Sequence, residues 1–175
     1  MTIPSDNMKL WAAVEQTDPQ YTRKVATRGG FTAIGAQYQI KMATEQWGPY
    51  GYAWGVNNCI YSMICDKDGH PIEMALDAVF YYPPNPHVAM PTPKPGDPIP
   101  ASHKGVFSIS TDMAYKPGND TRKKLLTDLT TKALSKLGFN ADVFMGKFDD
   151  NKYLEAIGAK PKASDTDKPI LSDDI

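Results

Sequence analysis

The sequence predicts an α+β domain in which a three-stranded antiparallel sheet, a hairpin plus a third strand, packs against a long C-terminal helix. Three observations carry the prediction. Two segments repeat apolar residues at helical spacing: Ala36, Ile40, Ala43 and Trp47 in one, and Leu125, Leu126, Leu129, Ala133 and Leu137 in the other. Between them, aromatic and β-branched runs flank the turn cluster Asp66-Lys67-Asp68-Gly69, the pattern of a long hairpin. A further run, GVFSISTDMAY, sets Val106, Ile109 and Met113 among Ser108 and Ser110 and supplies the third strand.

In chain order, Asp6 or Asn7 can cap a first short helix, MKLWAAVEQ, with Leu10 and Val14 at helical spacing, and Asp18-Pro19 ends it. A basic connector, QYTRKVATRGG, leads into the second helix, whose outer positions are Gln37, Lys41, Thr44 and Glu45 and which Gly48-Pro49 stops. The DxDG of the hairpin lacks the third ligand and distal glutamate of a calcium loop and reads as a plain turn. Eight of the fifteen prolines fall between Pro83 and Pro100, so residues 83–104 are expected to form an extended insertion between strands. Gly118-Asn119-Asp120 caps the strongest helix, TRKKLLTDLTTKALSKLG, and Gly138 closes it. A short helix near NKYLEAIG follows. The expected organisation is one domain over residues 1–158 and a disordered acidic tail over 159–175.

The formal net charge of −1 hides an uneven distribution. Arg23, Lys24, Arg28 and Lys41 stand in a window with no acid; Lys116, Arg122, Lys123, Lys124, Lys132 and Lys136 share a second window with only Asp120 and Asp128. Such runs suit a solvated face or a polyanion groove. No stretch is apolar for the ~18 residues of a membrane span, and the start has no signal pattern, so a cytoplasmic location is expected. Cys59 and Cys65, with no CxxC pair, are expected to be reduced core thiols on one strand face.

Catalytic patterns are missing, so no enzyme activity is expected. His70, His87 and His103 have no metal-ligand spacing, and neither GxSxG nor a helical HExxH occurs. GxxxxGK[ST] is absent too. The glycines from Gly48 to Gly55 follow a helix and enter a strand, the reverse of a dinucleotide loop, so ATP and other cofactors are not expected. Nucleic-acid binding needs only amines for phosphates and flat rings for unpaired bases. The basic residues offer the first; Phe31, Tyr38, Tyr50 and Tyr52 are candidates for the second, whereas Trp47 and Trp54 are expected in the core. Tyr38 lies off its helix's apolar stripe, which makes it an interface residue or a base contact.

The order PxY, basic connector, glycine pair, then AQYQIKMATEQWGPYGYAW resembles the start of the annealing domain of the Rad fifty-two family, with Glu45, Trp47, Gly48, Gly51 and Trp54 at the matching positions. The helix DTRKKLLTDLTTKALSKLGF followed by KYLEAIG is similar to that family's basic helix through Thr127-Asp128, Lys132-Ala133-Leu134 and Gly138. The resemblance covers about Asp18 to Gly158. It implies ATP-independent annealing of complementary single strands in DNA recombination, on closed homo-oligomeric rings, and the small size points to a bacteriophage or prophage member acting in the host cytoplasm. Lys132 falls on a family position for a basic groove residue, and Lys116 lies near another. Tyr38 stands where the family has a DNA-binding arginine, so that Arg28 or Lys41 would substitute, and Ser135 stands where another arginine is found, with Lys136 beside it.

The DNA-binding set expected on these grounds is Arg23, Lys24, Arg28, Tyr38, Lys41, Lys116, Arg122, Lys123, Lys132 and Lys136, with no catalytic or metal-binding residue. The expected partners are single-stranded DNA, further copies of the chain and a protein for the acidic tail, with no membrane. Two other readings fit the pattern: a double-stranded RNA module, which shares the order helix, three strands, helix, and a structural ring or scaffold protein.

Overall fold

The structure is a computed structural model that describes residues 8–25, 31–83, 105–118 and 120–159. Its elements run α1 (Lys9–Val14), β1 (Thr22–Val25), β2 (Phe31–Ile34), α2 (Ala36–Trp47), β3 (Gly55–Cys65), β4 (Pro71–Tyr82), β5 (Gly105–Ala114), α3 (Thr121–Lys136), α4 (Ala141–Phe144) and α5 (Asn151–Ala156). The fold is α+β, with an antiparallel sheet in the order β3-β4-β5. The sheet packs on α3, which is not the last helix: α4, a 3₁₀ turn and α5 follow it. The proline-rich segment after Pro83, the caps Asp6 and Asn7, and the acidic tail lie outside the described residues.

The basic connector holds structure that its sequence did not announce. Thr22–Val25 and Phe31–Ile34 pair antiparallel in a small separate two-stranded sheet, Thr22 opposite Ile34 and Val25 opposite Phe31. Each strand is only four residues long, too short for an alternating pattern to be read from sequence.

The core forms where the sheet meets α3. Met74, Leu76, Ala78 and Phe80 alternate inward along β4, joined by Ile109 of β5, against Leu125, Leu129 and Ala133 of α3. The buried face of α3 is wider than the leucine stripe, because Thr130 and Leu134 are also buried and α2 packs on that side. On α2 the buried line is Gln39, Ala43 and Trp47, while Ala36 and Ile40 are half-covered. Trp47 meets Phe139, Tyr82 and Trp54 at ring-centroid distances of 5.0, 5.5 and 5.9 Å, and Trp54 is 0% exposed, as expected of two core tryptophans.

The glycines after α2 build a corner. Gly48 ends the helix at φ 92° and Gly51 turns the chain at φ 86°, both in the left-handed region that a side chain disfavours. The indole N–H of Trp54 donates to the Gly48 carbonyl at 2.8 Å and the Gly51 N–H to the Trp54 carbonyl at 2.7 Å, so the buried indole fixes the turn from helix to sheet. Gly138 closes α3 as expected, at φ 95°.

Cys59 and Cys65 correct the sequence reading: both are exposed, not core thiols. At about 3.3 Å per residue the 11 residues of β3 span roughly 36 Å, whereas the 16 residues of α3 at 1.5 Å span roughly 24 Å. The far part of the β3–β4 hairpin therefore overhangs its helix. A register shift between Asn57 and Ile60, with Asn58 at φ 53°, places Cys59 in a bulge. Ile60, Met63, Ile64 and Ile72 are exposed on the same arm.

Candidate nucleic-acid interface

The segment before β1 is held by side-chain hydrogen bonds. The Asp18 carboxylate accepts from the Gln20 N–H at 3.0 Å and caps the 3₁₀ turn Pro19–Tyr21. That turn lays Tyr21 on Tyr38 of α2, ring centroids 4.3 Å apart and planes 9° from parallel. The Tyr38 hydroxyl accepts from the Asp18 N–H at 3.1 Å, and burial pushes its phenol above the ordinary value. Tyr38 thus supports the turn from beneath, and Tyr21, 39% exposed, is the ring presented to solvent. The Lys41 ammonium stands 5.5 Å from the Tyr21 centroid and 3.6 Å from Glu45. Tyr21 was missed as a candidate because nothing in the sequence told which of two tyrosines seventeen residues apart would lie outermost.

Arg23 and Lys24 lie on β1 and are exposed. Lys24 donates to Thr32 at 2.7 Å and lies 3.9 Å from Asp149. Arg28 falls outside the described residues. Of the expected rings, Phe31 and Tyr50 are 47% and 43% exposed, and Tyr52 packs against the core.

The second basic group lies on α3, and the helix divides it. At 100° per residue Lys124, Asp128, Lys132 and Lys136 step 40° at a time along one side, reaching β5 at Asp128 and Lys132, while Lys123 lies farther round with Thr127 and Thr131. Lys132 reaches Asp128 at 3.0 Å and donates to the Thr111 hydroxyl at 2.5 Å, and that hydroxyl donates to Asp128. Lys136 is exposed in the last turn, where a cation complements the helix dipole. Arg122 lies 5.3 Å from the Tyr61 ring centroid, Lys123 borders a cavity with Met63, Met74 and Tyr115, and Lys116 is exposed in the turn between β5 and α3.

The outer face of the sheet has the opposite character. Across the three strands it presents Ile60-Asp77-Ser110, Ser62-Ala75-Asp112 and Ile64-Glu73-Ala114. Hydrogen bonding to Asp112 holds the Glu73 carboxyl above the usual range, the sign of acids crowded together. Among the described residues these acids disfavour a polyanion on that face, whereas the exposed cations gather on β1, beside Tyr21 and along α3. The Asp66 turn is a plain hairpin connection, its carboxylate accepting from the Asp68 and His70 N–H groups at 2.9 Å each. Among the described residues no group of three His, Cys, Asp or Glu side chains is placed to hold a metal, and no helix is long and apolar enough to cross a membrane. His87 and His103 lie outside the described residues. No protein-family model and no curated protein matches this chain.

Proposed function

We propose that this chain is a single-strand annealing protein of the Rad fifty-two type. It binds single-stranded DNA through its backbone and pairs complementary strands without ATP in bacteriophage recombination, as a closed ring in the host cytoplasm. The observation that carries the reading is the corner. The residues of the resemblance, Trp47, Gly48, Gly51 and Trp54, are those that turn α2 into the sheet, and the sheet is backed by the long basic helix α3. Lys132 and Lys136 along one edge of α3, with Lys116, Arg122 and Lys123 near its start, supply phosphate contacts, and Tyr21 beside Lys41 supplies a ring for a base. The exposed apolar arm of the hairpin and the open edge of β3 suit packing between copies. In this role the protein performs no bond-making chemistry and needs no cofactor.

The test mixes two labelled complementary strands with and without protein, omitting ATP, and images the same sample by electron microscopy. Faster pairing and ring-shaped particles are expected; failure to accelerate pairing overturns the reading. The order α2, β3, β4, β5, α3 also suits a double-stranded RNA module. Competition between unpaired DNA and duplex RNA separates the two, with preference for unpaired DNA expected.

A further inference from the structure

The open edge of the sheet carries a segment that reads nearly the same in both directions. β3 lies outermost in the order β3-β4-β5, and among the described residues no strand pairs with its other edge. From Cys59 to Cys65 it runs Cys-Ile-Tyr-Ser-Met-Ile-Cys, with Ser62 at the centre. A free edge is ordinarily blunted by lysine, proline or an inward-pointing charge, and this run contains none of them. Its bulge, at Asn58 and Cys59, falls at the end and leaves the middle regular. All of the run except Tyr61 is exposed, Ile60 to 62% and Ile64 to 42%.

A palindromic strand is complementary to itself when two copies meet antiparallel. Centred on Ser62, the pairing sets Ile60 against Ile64 of the second copy, Tyr61 against Met63, and Cys59 against Cys65. Directly opposed residues share a face, so the isoleucines cover each other on the outer face of the sheet while Tyr61 and Met63 meet on the side of α3. The sequence also selects the register. Moving the centre to Tyr61 or Met63 sets an isoleucine against Ser62 and separates both apolar pairs. Charge does not oppose the contact. Asp77 and Glu73, opposite Ile60 and Ile64, stand one strand behind the edge, so the acids of two copies are three strand spacings apart, roughly 14 Å, beyond the Debye length of physiological salt.

We propose that two copies of this chain join through β3, antiparallel about a two-fold axis at Ser62, into one six-stranded sheet. An isologous contact closes at two copies, so a larger ring has to use other surfaces, and the inference stands apart from the annealing reading. Seven residues a side fall well below the roughly 20–30 of a standard interface. The pair is therefore weak, and in dilute solution both thiols stay open to reagents.

The cysteines at the two ends report the register. Six residues of strand hold them roughly 20 Å apart within one chain, whereas a disulfide spans about 4.4–6.8 Å between Cα atoms, so any bridge joins two copies. The test incubates concentrated full-length protein with oxidised glutathione. One cysteine thiolate displaces a glutathione thiol to form a mixed disulfide, and the facing thiolate of the second copy displaces the other. Two protein thiols are thus oxidised as one glutathione disulfide is reduced. Non-reducing electrophoresis and mapping of the bridged peptides are expected to show a covalent dimer, Cys59 bonded to Cys65, with no higher multiples. Cys59→Ser and Cys65→Ser are each expected to stay single chains, because the remaining thiol faces a serine, whereas their equimolar mixture gives heterodimers with one bridge. Ser62→Lys, at an exposed position, sets two ammonium groups across the axis and is expected to lower the dimer yield about fivefold or more. A wild type or a mixture that stays single-chain, bridges between like cysteines, dimers of either single variant, a ladder of higher multiples, or an unchanged yield for Ser62→Lys overturns the contact. Strand annealing does not enter this assay, so failure of either inference leaves the other standing.

Discussion

Lys132→Ala separates a lysine that binds phosphate from one that merely braces α3 on the sheet. Its ammonium lies 3.0 Å from Asp128 and 2.5 Å from the Thr111 hydroxyl, with side chains 48% and 41% exposed for Lys132 and Asp128. An ion pair so open to water contributes about 0–1 kcal/mol, so the variant is expected to lower the melting temperature by no more than roughly 4 °C. The effect on DNA is of a different kind. Each phosphate contact to a single strand contributes about −0.7 to the slope of log K against log salt concentration. If Lys116, Arg122, Lys123, Lys132 and Lys136 each hold one phosphate, the slope is about −3.5, and Lys132→Ala brings it to about −2.8. Asp128→Asn acts in the opposite direction. It frees the ammonium and removes a charge that repels an incoming phosphate by about 1 kcal/mol at 4 Å in water, so binding is expected to tighten roughly two- to fivefold. Fluorescence anisotropy of a labelled oligonucleotide at several salt concentrations reads both. Equal slopes for wild type and Lys132→Ala, with weaker binding by Asp128→Asn, would refute the reasoning and make the triad a brace.

Three further expectations concern the fold. A Cβ at Gly138 would lie 2.6 Å from the Trp11 ring at φ 95°, so Gly138→Ala is expected to cost about 2–3 kcal/mol and lower the melting temperature by roughly 4–12 °C; an unchanged melt would show that the Trp11 segment does not pack there. The Tyr153 hydroxyl donates to Asp142 at 2.5 Å, and burial together with that bond holds the phenol well above its ordinary value. The unfolded chain releases this proton near pH 10 while the folded chain keeps it. The stabilisation is therefore complete below pH 10 and lost as pH rises beyond it, and the cost of Tyr153→Phe, about 1–3 kcal/mol at pH 8 in a denaturant titration, should shrink above pH 10. A gap that widens with pH would contradict the sign. Cys59 and Cys65 should both react with a thiol reagent in the native state at rates within about tenfold of an unfolded peptide, and a hundredfold slowing at either would return it to the core.

What the sequence disclosed follows from how far each signal reaches. Periodicity located α2, α3 and the third long strand, aromatic and β-branched runs around a turn cluster located the β3–β4 hairpin, and the glycine pattern disclosed the corner because it depends on backbone conformation alone. Signals that depend on a distant partner were not legible. Asp142 looks like any acid near a helix start, yet it is 1% exposed and accepts from the Thr17 N–H at 2.8 Å, the Thr17 hydroxyl at 2.5 Å and Tyr153, tying the segment before β1 to α4 across 125 residues and to α5. Gln39 is polar by type and buried by position, and only the meeting of α2 with α3 decides that. The cysteines were misplaced because hydropathy shows neither the bulge that turns Cys59 outward nor that the far end of β3, with Cys65, extends past the helix that should cover it.

The candidate binding residues share a property no single-residue argument reveals: several are already held by an exposed acid. Lys132 has Asp128, Lys41 has Glu45 and Lys24 has Asp149, all near the surface and all at 3.0–3.9 Å. In water each pair is nearly neutral in free energy, so exchanging the carboxylate for a phosphate costs little, while the pair keeps the long side chain extended. The gain on binding then comes mainly from counterions released by the strand rather than from new attraction. On the annealing reading this has a use, because a strand held by exchangeable contacts can slide past a partner and be tested for complementarity without first being released. It follows that affinity at one salt concentration does not identify the groove lysines. The slope against salt counts them, and substituting the paired acids Asp128 and Glu45 should raise affinity while leaving that count almost unchanged.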